Sequence, residues 1–357
     1  GLGVTGAAQP ANCGGQNTVP TTFGGSGTTL PARINMPGFD PDGAGPLPVV
    51  SGSRQFREDG TLGANCNQFN FNPYNYYQTP SESFSGAAYG RYEINKHAEL
   101  YARLNFSAVN VRQQIAPSGI FNTPLNVPLN NPFLTASARQ DIVNQYNGAR
   151  LAGALTLTGN NQNWFDHNAN GVVDAADTVR FGIGRRTVEF GERSTTYDNN
   201  AFSLLFGLRG DIIADWNYDV SFQHGESDRT NISAGYTNVA NAAIAVNTVS
   251  ATTCTTATGV TTAGCVPLNL FGKEGSITPA MAAYSSAVGI EKQNYTQTVA
   301  SASVSGPFSM VTSPFATTPL QLAFGTEYRE ETGETEPDEC LKLAPASCLG
   351  GAGGNTL

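Results

Sequence analysis

The feature that most constrains this chain is an alternation of mainly apolar with mainly polar positions along six segments. The segments pair into three hairpins, at 84–107, at 202–223 and at about 293–329. In the first hairpin, small, aliphatic and aromatic residues occupy every second position, and Arg, Glu, Tyr and Asn occur between them. A repeat of two residues predicts β-strands with one apolar and one polar face. The tight turn Asn95-Lys96-His97 predicts that the first two strands are antiparallel.

The lengths of the connections narrow the fold class further. Turns within the hairpins are short, whereas long segments, roughly 114–180 and 233–290, join one hairpin to the next. Outer-membrane barrels combine short periplasmic turns with long outer loops, and aromatic residues near their strand ends lie at the bilayer interfaces. We therefore predict an all-β protein, an antiparallel transmembrane β-barrel section of about six strands with long extracellular loops that carry short helices. The alternative is a soluble antiparallel protein whose apolar face packs on a second sheet.

This pattern divides the chain into three regions. Residues 1–83 are predicted to be an extracellular loop region with short strands, 84–335 the barrel hairpins with their long loops, and 336–357 a truncated extracellular loop. In the long loops, one helix is predicted between the cap Thr135 and the stop Gly148, and another between Thr278-Pro279 and Gly289. The incoming strand of the second hairpin could begin as early as Arg186. The turn of the third is expected to be loose, to contain Gly306 and Pro307 and to reach about Pro319.

Composition excludes several classes of function. A net charge of −9 disfavours a nucleic-acid partner, which would require a basic surface. There is no nucleophile–base pair and no phosphate- or dinucleotide-binding fingerprint, so we predict no catalytic residues and no enzyme. Glu330, Glu331 and Glu334 could pass for catalytic carboxylates, but a solvated cluster is the favoured interpretation. The residues expected to line the barrel interior lie on the polar face: Arg91, Glu93, Arg103, Arg209, Asp211, Asp219 and Arg329.

Six cysteines indicate an oxidising compartment. Cys254 with Cys265, and Cys340 with Cys348, are close in sequence and flank polar or Gly/Pro-containing turns, so each pair is predicted to form a disulfide. Cys13 and Cys66 then pair by elimination. The alternative is that these residues are free thiols.

One twelve-residue segment, Asp166 to Asp177, predicts a calcium site. Gly171 stands at the sixth position, where a calcium loop turns sharply, and Val172 at the seventh would offer its main-chain carbonyl. Oxygen-bearing side chains occupy the other ligand positions, so the predicted ligands are Asp166, Asn168, Asn170, Val172, Asp174 and Asp177. The last ligand is Asp instead of the usual Glu, and a strand instead of a helix is predicted to follow. An Asx-rich turn without metal is the alternative.

Several phrases resemble the barrel section of TonB-dependent receptors. They include Asn72-Pro-Tyr-Asn-Tyr76, Gly90-Arg-Tyr-Glu93, Arg185-Arg-Thr-Val-Glu189 and Trp216-Asn-Tyr-Asp219. Phe324-Gly-Thr-Glu-Tyr-Arg-Glu330 is similar to a recurrent strand phrase of that family. Together the phrases cover most of 67–335 and occur in the order typical of the family.

The resemblance implies uptake of a nutrient ligand across the bacterial outer membrane. It also implies a barrel of about 22 strands, an N-terminal plug and an energy-coupling protein of the inner membrane. With about six strands predicted, the missing strands and plug would come from the same chain or a partner chain, and outer-membrane lipid would surround the wall. The ligand is left open. The alternative function is a secreted or surface-displayed structural or adhesive protein, or an assembly subunit, stabilised by calcium and disulfides.

Overall fold

The computed structural model describes residues 25–37, 52–65, 68–151, 153–159, 162–213, 215–338 and 341. The strands are β1 (Arg33–Met36), β2 (Gly52–Phe56), β3 (Leu62–Ala64), β4 (Ser81–Asn95), β5 (Ala98–Ile115), β6 (Gly119–Pro128), β7 (Trp164–Phe165), β8 (Thr178–Arg186), β9 (Arg193–Asp211), β10 (Asn217–Thr237), β11 (Cys254–Thr255), β12 (Thr261–Thr262), β13 (Ser286–Thr312) and β14 (Pro319–Pro337). The helices are α1 (Ala136–Leu151), α2 (Val239–Val246) and α3 (Pro279–Ser285).

Six long strands form one antiparallel meander, which we call the long sheet. Its order is β14-β13-β10-β9-β5-β4, so each strand pairs with its sequence neighbour within the set. The connections β4–β5, β9–β10 and β13–β14 are short and lie at one end of this sheet. The β5–β9 and β10–β13 connections leave from the other end. The predicted six-strand antiparallel sheet and the asymmetry of its connections are confirmed, and β4 and β14 are its edges among the described strands.

Two predicted strand boundaries are wrong. β9 begins at Arg193, because Arg186 ends β8 in a different sheet. Gly306 and Pro307 lie inside β13 and not in a turn, since β13 continues to Thr312. Ser305 is the last β13 residue with a partner in β10, namely Asn217. Pro307 therefore lies where the β10 side of the strand has no described neighbour, and its missing N–H costs no ladder bond.

The long connections and the described part of the N-terminal region fold together into one unit, which we call the loop body (25–37, 52–65, 116–151, 153–159, 162–192 and 238–285). Its sheet has the order β3-β2-β1-β8-β6, with β7 also paired to β8. The described hydrophobic core lies entirely here, and Phe56 meets Phe271 with ring centroids 5.2 Å apart. The long connections therefore pack together around one core and are not separate loops.

The helices of the loop body begin where their caps predict. Thr135 Oγ1 accepts from Ala138 N at 3.2 Å, and Thr278 Oγ1 accepts from Met281 N at 3.4 Å. The predicted stops are wrong. Gly148 lies within α1, which ends before Gly153 at φ +68°, a conformation that suits glycine. Gly289 lies in β13.

No helix within the described residues is long and apolar enough to cross a bilayer.

Candidate functional site

The long sheet has one apolar face with no protein against it in the described structure. None of the described core residues comes from its strands. Phe84 is 67% exposed, Phe206 47% and Phe324 61%, although aromatic side chains of this size are usually among the most buried. A continuous apolar surface of this kind marks an interface with a protein or a membrane.

The side chains of this face form a band with a distinct upper edge, towards the loop body. Moving from β4 to β14, the residues directly above the last apolar or aromatic side chain are Glu82, Asn110, Asn200, His224, Thr298 and Glu330. Glu82 pairs with Asn110, so the edge is level across the first hairpin. Asn200 pairs with Ala108, one position below Asn110 on this face, and His224 pairs with Leu204, two positions below Asn200.

The edge stays level from β10 to β14, because Thr298 pairs with both His224 and Glu330. Positions on one face are two residues apart, so three downward steps amount to six residues, or about 20 Å at ~3.3 Å per residue. The five strand spacings cover about 24 Å at ~4.8 Å each, so the band is inclined by roughly 40° to the hydrogen-bonded rows.

The opposite face carries all the residues predicted to line an interior. Two of these residues, Arg209 and Asp219, bond to residues of β5 near the short turns. Arg209 Nε donates to Glu99 Oε1 at 2.8 Å, and Tyr101 OH donates to Asp219 Oδ1 at 2.6 Å. The Arg209 guanidinium also lies 5.2 Å from the centre of the Tyr101 ring. This network borders a cleft of about 580 Å³ that also includes Glu93 and Asp211.

The other predicted interior residues lie away from this network. Arg329 pairs with Glu327 and Glu331 on β14, with Arg329 Nε 3.1 Å from Glu327 Oε1. Arg91 and Arg103 lie on the first hairpin, where they pair in register with Tyr101 and Tyr89. The predicted face is therefore confirmed by the register, whereas only part of the set is brought together.

The predicted calcium loop folds tightly around its central glycine. Gly171 has φ +71°, and its N–H donates to Asp166 Oδ2 at 2.9 Å. Asp174 Oδ2 accepts from the amide nitrogens of Asn168 at 2.9 Å and Asn170 at 2.6 Å. The main-chain N–H of Ala176, and then these two amides, lower the pKa of Asp174. Five of the six predicted ligand residues thus share one hydrogen-bonded loop with this glycine.

Two carboxylates of the loop differ in their hydrogen-bond partners. Asp166 Oδ1 is buried and, within the described residues, has no hydrogen-bond partner. Asp177 is fully buried and accepts from Trp164 Nε1 at 2.9 Å, His167 N at 3.0 Å and Asp174 N at 3.2 Å. The sixth predicted ligand therefore anchors the loop to β7, an arrangement that the calcium pattern did not predict.

The donor set is suited to calcium, which takes carboxylate, amide and main-chain carbonyl oxygens. Among the described residues, no three His, Cys, Asp or Glu side chains form a metal cluster, but calcium also takes amide and main-chain carbonyl oxygens. The unpartnered Asp166 Oδ1 fits a cation ligand. The amides of Asn168 and Asn170 would have to turn their oxygens inward, because their nitrogens now face Asp174.

One of the three predicted disulfides lies within the described residues and is confirmed. Cys254 and Cys265 are bonded, with Cα atoms 5.7 Å apart, and close the small β11–β12 hairpin onto the loop-body core. Cys13, Cys66, Cys340 and Cys348 lie outside the described residues.

A buried ion pair in the loop body was not predicted. Arg185 is fully buried, and its Nη2 lies 2.9 Å from Glu189 Oε1, which also accepts from Gly275 N at 3.0 Å. The pair therefore fastens the end of β8 to the connection between α2 and α3. The four-residue spacing of Arg and Glu was visible in the sequence, but no local pattern indicates that Arg185 would be fully buried against Glu189.

Comparison with known proteins identifies no relative. No protein-family model, curated protein or solved structure matches the chain.

Proposed function

We propose that the long sheet is part of the wall of a bacterial outer-membrane receptor that takes up a nutrient ligand. The observation that carries this proposal is the inclined apolar band. Transmembrane barrel strands are tilted by about 35–45°, so the lipid-facing band must run obliquely across the hydrogen-bonded rows. An inclination of roughly 40° has the size that such a tilt requires.

The height of the band agrees with the same geometry. On β4 it runs from Phe84 to Ile94, ten residue steps. At ~3.3 Å per step this is about 33 Å along the strand, and a tilt of about 40° reduces it to about 25 Å across the bilayer. The outer apolar band of such barrels is about 25 Å tall.

In this arrangement the polar face lines the interior of the barrel and the loop body stands outside the cell. The edges of β4 and β14 pair with further strands, because unpaired main-chain groups are costly in lipid. The strands and plug that complete the barrel, from this chain or a partner, and an energy-coupling protein of the inner membrane belong to the proposal through the resemblance to TonB-dependent receptors. The ligand is captured by the loop body and the interior face.

The two tryptophans offer a direct test. The ring of Trp216 packs on Gly306 at the lower margin of the apolar face, whereas Trp164 is buried in the loop body. With the full chain in vesicles of brominated lipid, we expect quenching of the Trp216 emission. The Trp216→Phe variant, which retains Trp164, should be insensitive to bromine.

The same preparation separates the alternative. A secreted adhesive or assembly protein stabilised by its disulfide and calcium would remain monodisperse without detergent and would show no quenching. That result would refute the membrane proposal.

We also propose that the loop 166–177 binds calcium, because Asp166 Oδ1 is buried and has no hydrogen-bond partner in the part of the chain that the structure describes. A bound cation would stabilise the loop body by about 2.7 kcal/mol at a concentration ~100 times its Kd. Trp164 donates to Asp177, so its emission should change on calcium titration.

The calcium test uses the Trp216→Phe background and two matched variants. Asp166→Asn should abolish the fluorescence change. Asp59→Asn, which alters another loop-body carboxylate that accepts from Thr61 N at 2.9 Å, should leave it intact. An unchanged spectrum and thermal midpoint with calcium would exclude the site.

A further inference from the structure

A second surface of the long sheet lies directly above the apolar band on β4 and β5. It is a cleft of about 670 Å³ lined by Gln78, Thr79, Pro80, Ser81, Glu82, Asn110 and Arg112. Glu82 and Asn110 are paired partners and are the first polar residues above Phe84 on this face. If the band lies in lipid, the cleft is at the level of the outer-leaflet headgroups.

The cleft presents a neutral and versatile set of hydrogen-bonding groups. Amides such as those of Gln78 and Asn110 both donate and accept, a carboxylate such as Glu82 accepts, and the Arg112 guanidinium has five donors. One carboxylate and one guanidinium give a formal charge of zero, and among the described residues neither Glu82 nor Arg112 is in a salt bridge. Such a lining matches a ligand with many hydroxyl groups and no net charge.

The same level of the sheet is different on the far strands. There the outward face carries Glu226, Asp228, Glu330 and Glu334, with Lys292 as a cation. This acidic region would disfavour an anionic headgroup, and it contrasts with the neutral cleft at β4 and β5.

Two exposed tyrosines directly precede the cleft residues in the chain. Tyr77, which precedes the lining residue Gln78, is 95% exposed, and Tyr76 is 43% exposed. This segment is held to β5 because Tyr76 N donates to Gln114 O at 3.1 Å and Arg112 N donates to Pro80 O at 3.3 Å. Tyrosine combines an apolar ring with a polar hydroxyl, so it suits the mixed surface of a sugar at a membrane interface.

We propose that this cleft binds the sugar headgroup of an outer-leaflet glycolipid, whose acyl chains continue down the apolar band past Phe84. The proposal rests on the membrane-wall function above. It commits to a lipid and not to a free sugar, because the cleft opens onto the band that the acyl chains would cover.

The test measures lipid binding to the full chain in detergent micelles. The probe is digalactosyl diacylglycerol, compared with phosphatidylcholine of the same acyl chains and with free digalactose. We expect the glycolipid to bind about tenfold more tightly than phosphatidylcholine, and Arg112→Ala to lower its affinity about tenfold, the size expected when a charged hydrogen-bonding group is lost. Lys292→Ala, a matched change of an exposed outward cation on β13, should leave the affinity unchanged.

Each outcome decides one point. Equal affinity for both lipids, or no effect of Arg112→Ala in a variant with an unaltered circular dichroism spectrum, overturns the headgroup site. If free digalactose displaces the glycolipid at an equal concentration, the cleft recognises the sugar alone, and the claim that its ligand is a lipid is overturned. A chain that is monodisperse without detergent overturns the membrane wall itself, whereas a detergent-dependent chain without glycolipid preference overturns only the cleft.

Discussion

Arginine at two matched alanines would distinguish an inclined wall from an upright one. Ala102 on β5 and Ala300 on β13 lie in one hydrogen-bonded row, linked through Phe206 and Phe222, and both face outward. They are three strand spacings apart, about 14 Å at ~4.8 Å each. A tilt of roughly 40° converts this separation into a depth difference of about 9 Å.

This difference in depth fixes the expected energies. The band on β5 runs from Ala98 to Ala108, so Ala102 lies next to its centre, whereas Ala300 lies near the upper edge. Arginine on the lipid face of a barrel costs about 2–4 kcal/mol at the midplane and about 0–1 kcal/mol near the interfaces. We expect Ala102→Arg to lower the free energy of unfolding by about 2 kcal/mol more than Ala300→Arg does.

The assay is equilibrium unfolding by urea in lipid vesicles, with linear extrapolation to zero denaturant. Ala201→Arg is the control, because Ala201 lies on the polar face, where Ser107 is its partner, and arginine there should cost little at any depth. Equal losses at Ala102 and Ala300 would refute the inclined band. Equal and small losses at all three positions would show that the apolar face does not meet lipid.

Three further predictions concern the loop body. Arg185→Met should lower its free energy of unfolding by roughly 3–5 kcal/mol, because Glu189, only 9% exposed, would lose its cation; an unchanged thermal midpoint would contradict a buried pair. Cys254 and Cys265 are 11 residues apart, and replacing both with Ser should lower the free energy of unfolding by about 3 kcal/mol in chemical denaturation. A variant that loses more stability than reductant-treated wild type would show that the effect is not due to the disulfide alone. The pKa of Asp174 is lowered by Ala176 N and the two amides, so its stabilisation is present above the ordinary pKa of Asp and disappears as pH falls through the lower folded value. Asp174→Asn should therefore flatten the acid limb of thermal midpoint against pH, and an identical limb in wild type and variant would count against these bonds.

The long sheet could be predicted because the residues that determine each strand and its turn are close together in the sequence. Alternation in 84–94 and 202–212 assigns each side chain to a face, and the short turns fix which strands are neighbours. The strand ends were predicted less well. Gly306 and Pro307 are common turn residues, yet β13 continues through them. Proline is tolerated there because the strand has no described β10 neighbour at that point.

The loop body could not be predicted in the same way. Ile34 pairs with Ile183, and Asn131 Nδ2 donates to Val246 O at 2.8 Å, so its contacts join distant connections. Asp177 matched the last position of a calcium loop, but its partner Trp164 lies before the loop and no periodic pattern connects them. Caps such as Thr135 were predicted correctly because a cap depends only on the next few residues.

The core of the loop body has a kinetic consequence. Phe56 and Phe271 are 215 residues apart (271 minus 56), and their rings meet at 5.2 Å. Each hairpin of the long sheet can close locally, whereas this core requires distant parts of the chain to find one another, and such high contact order slows folding. We therefore expect the hairpins to form first and the loop body to assemble last, so that its disulfide, helices and Asx-rich loop reach their final structure only after the segment that ends near Ser285 has joined the core.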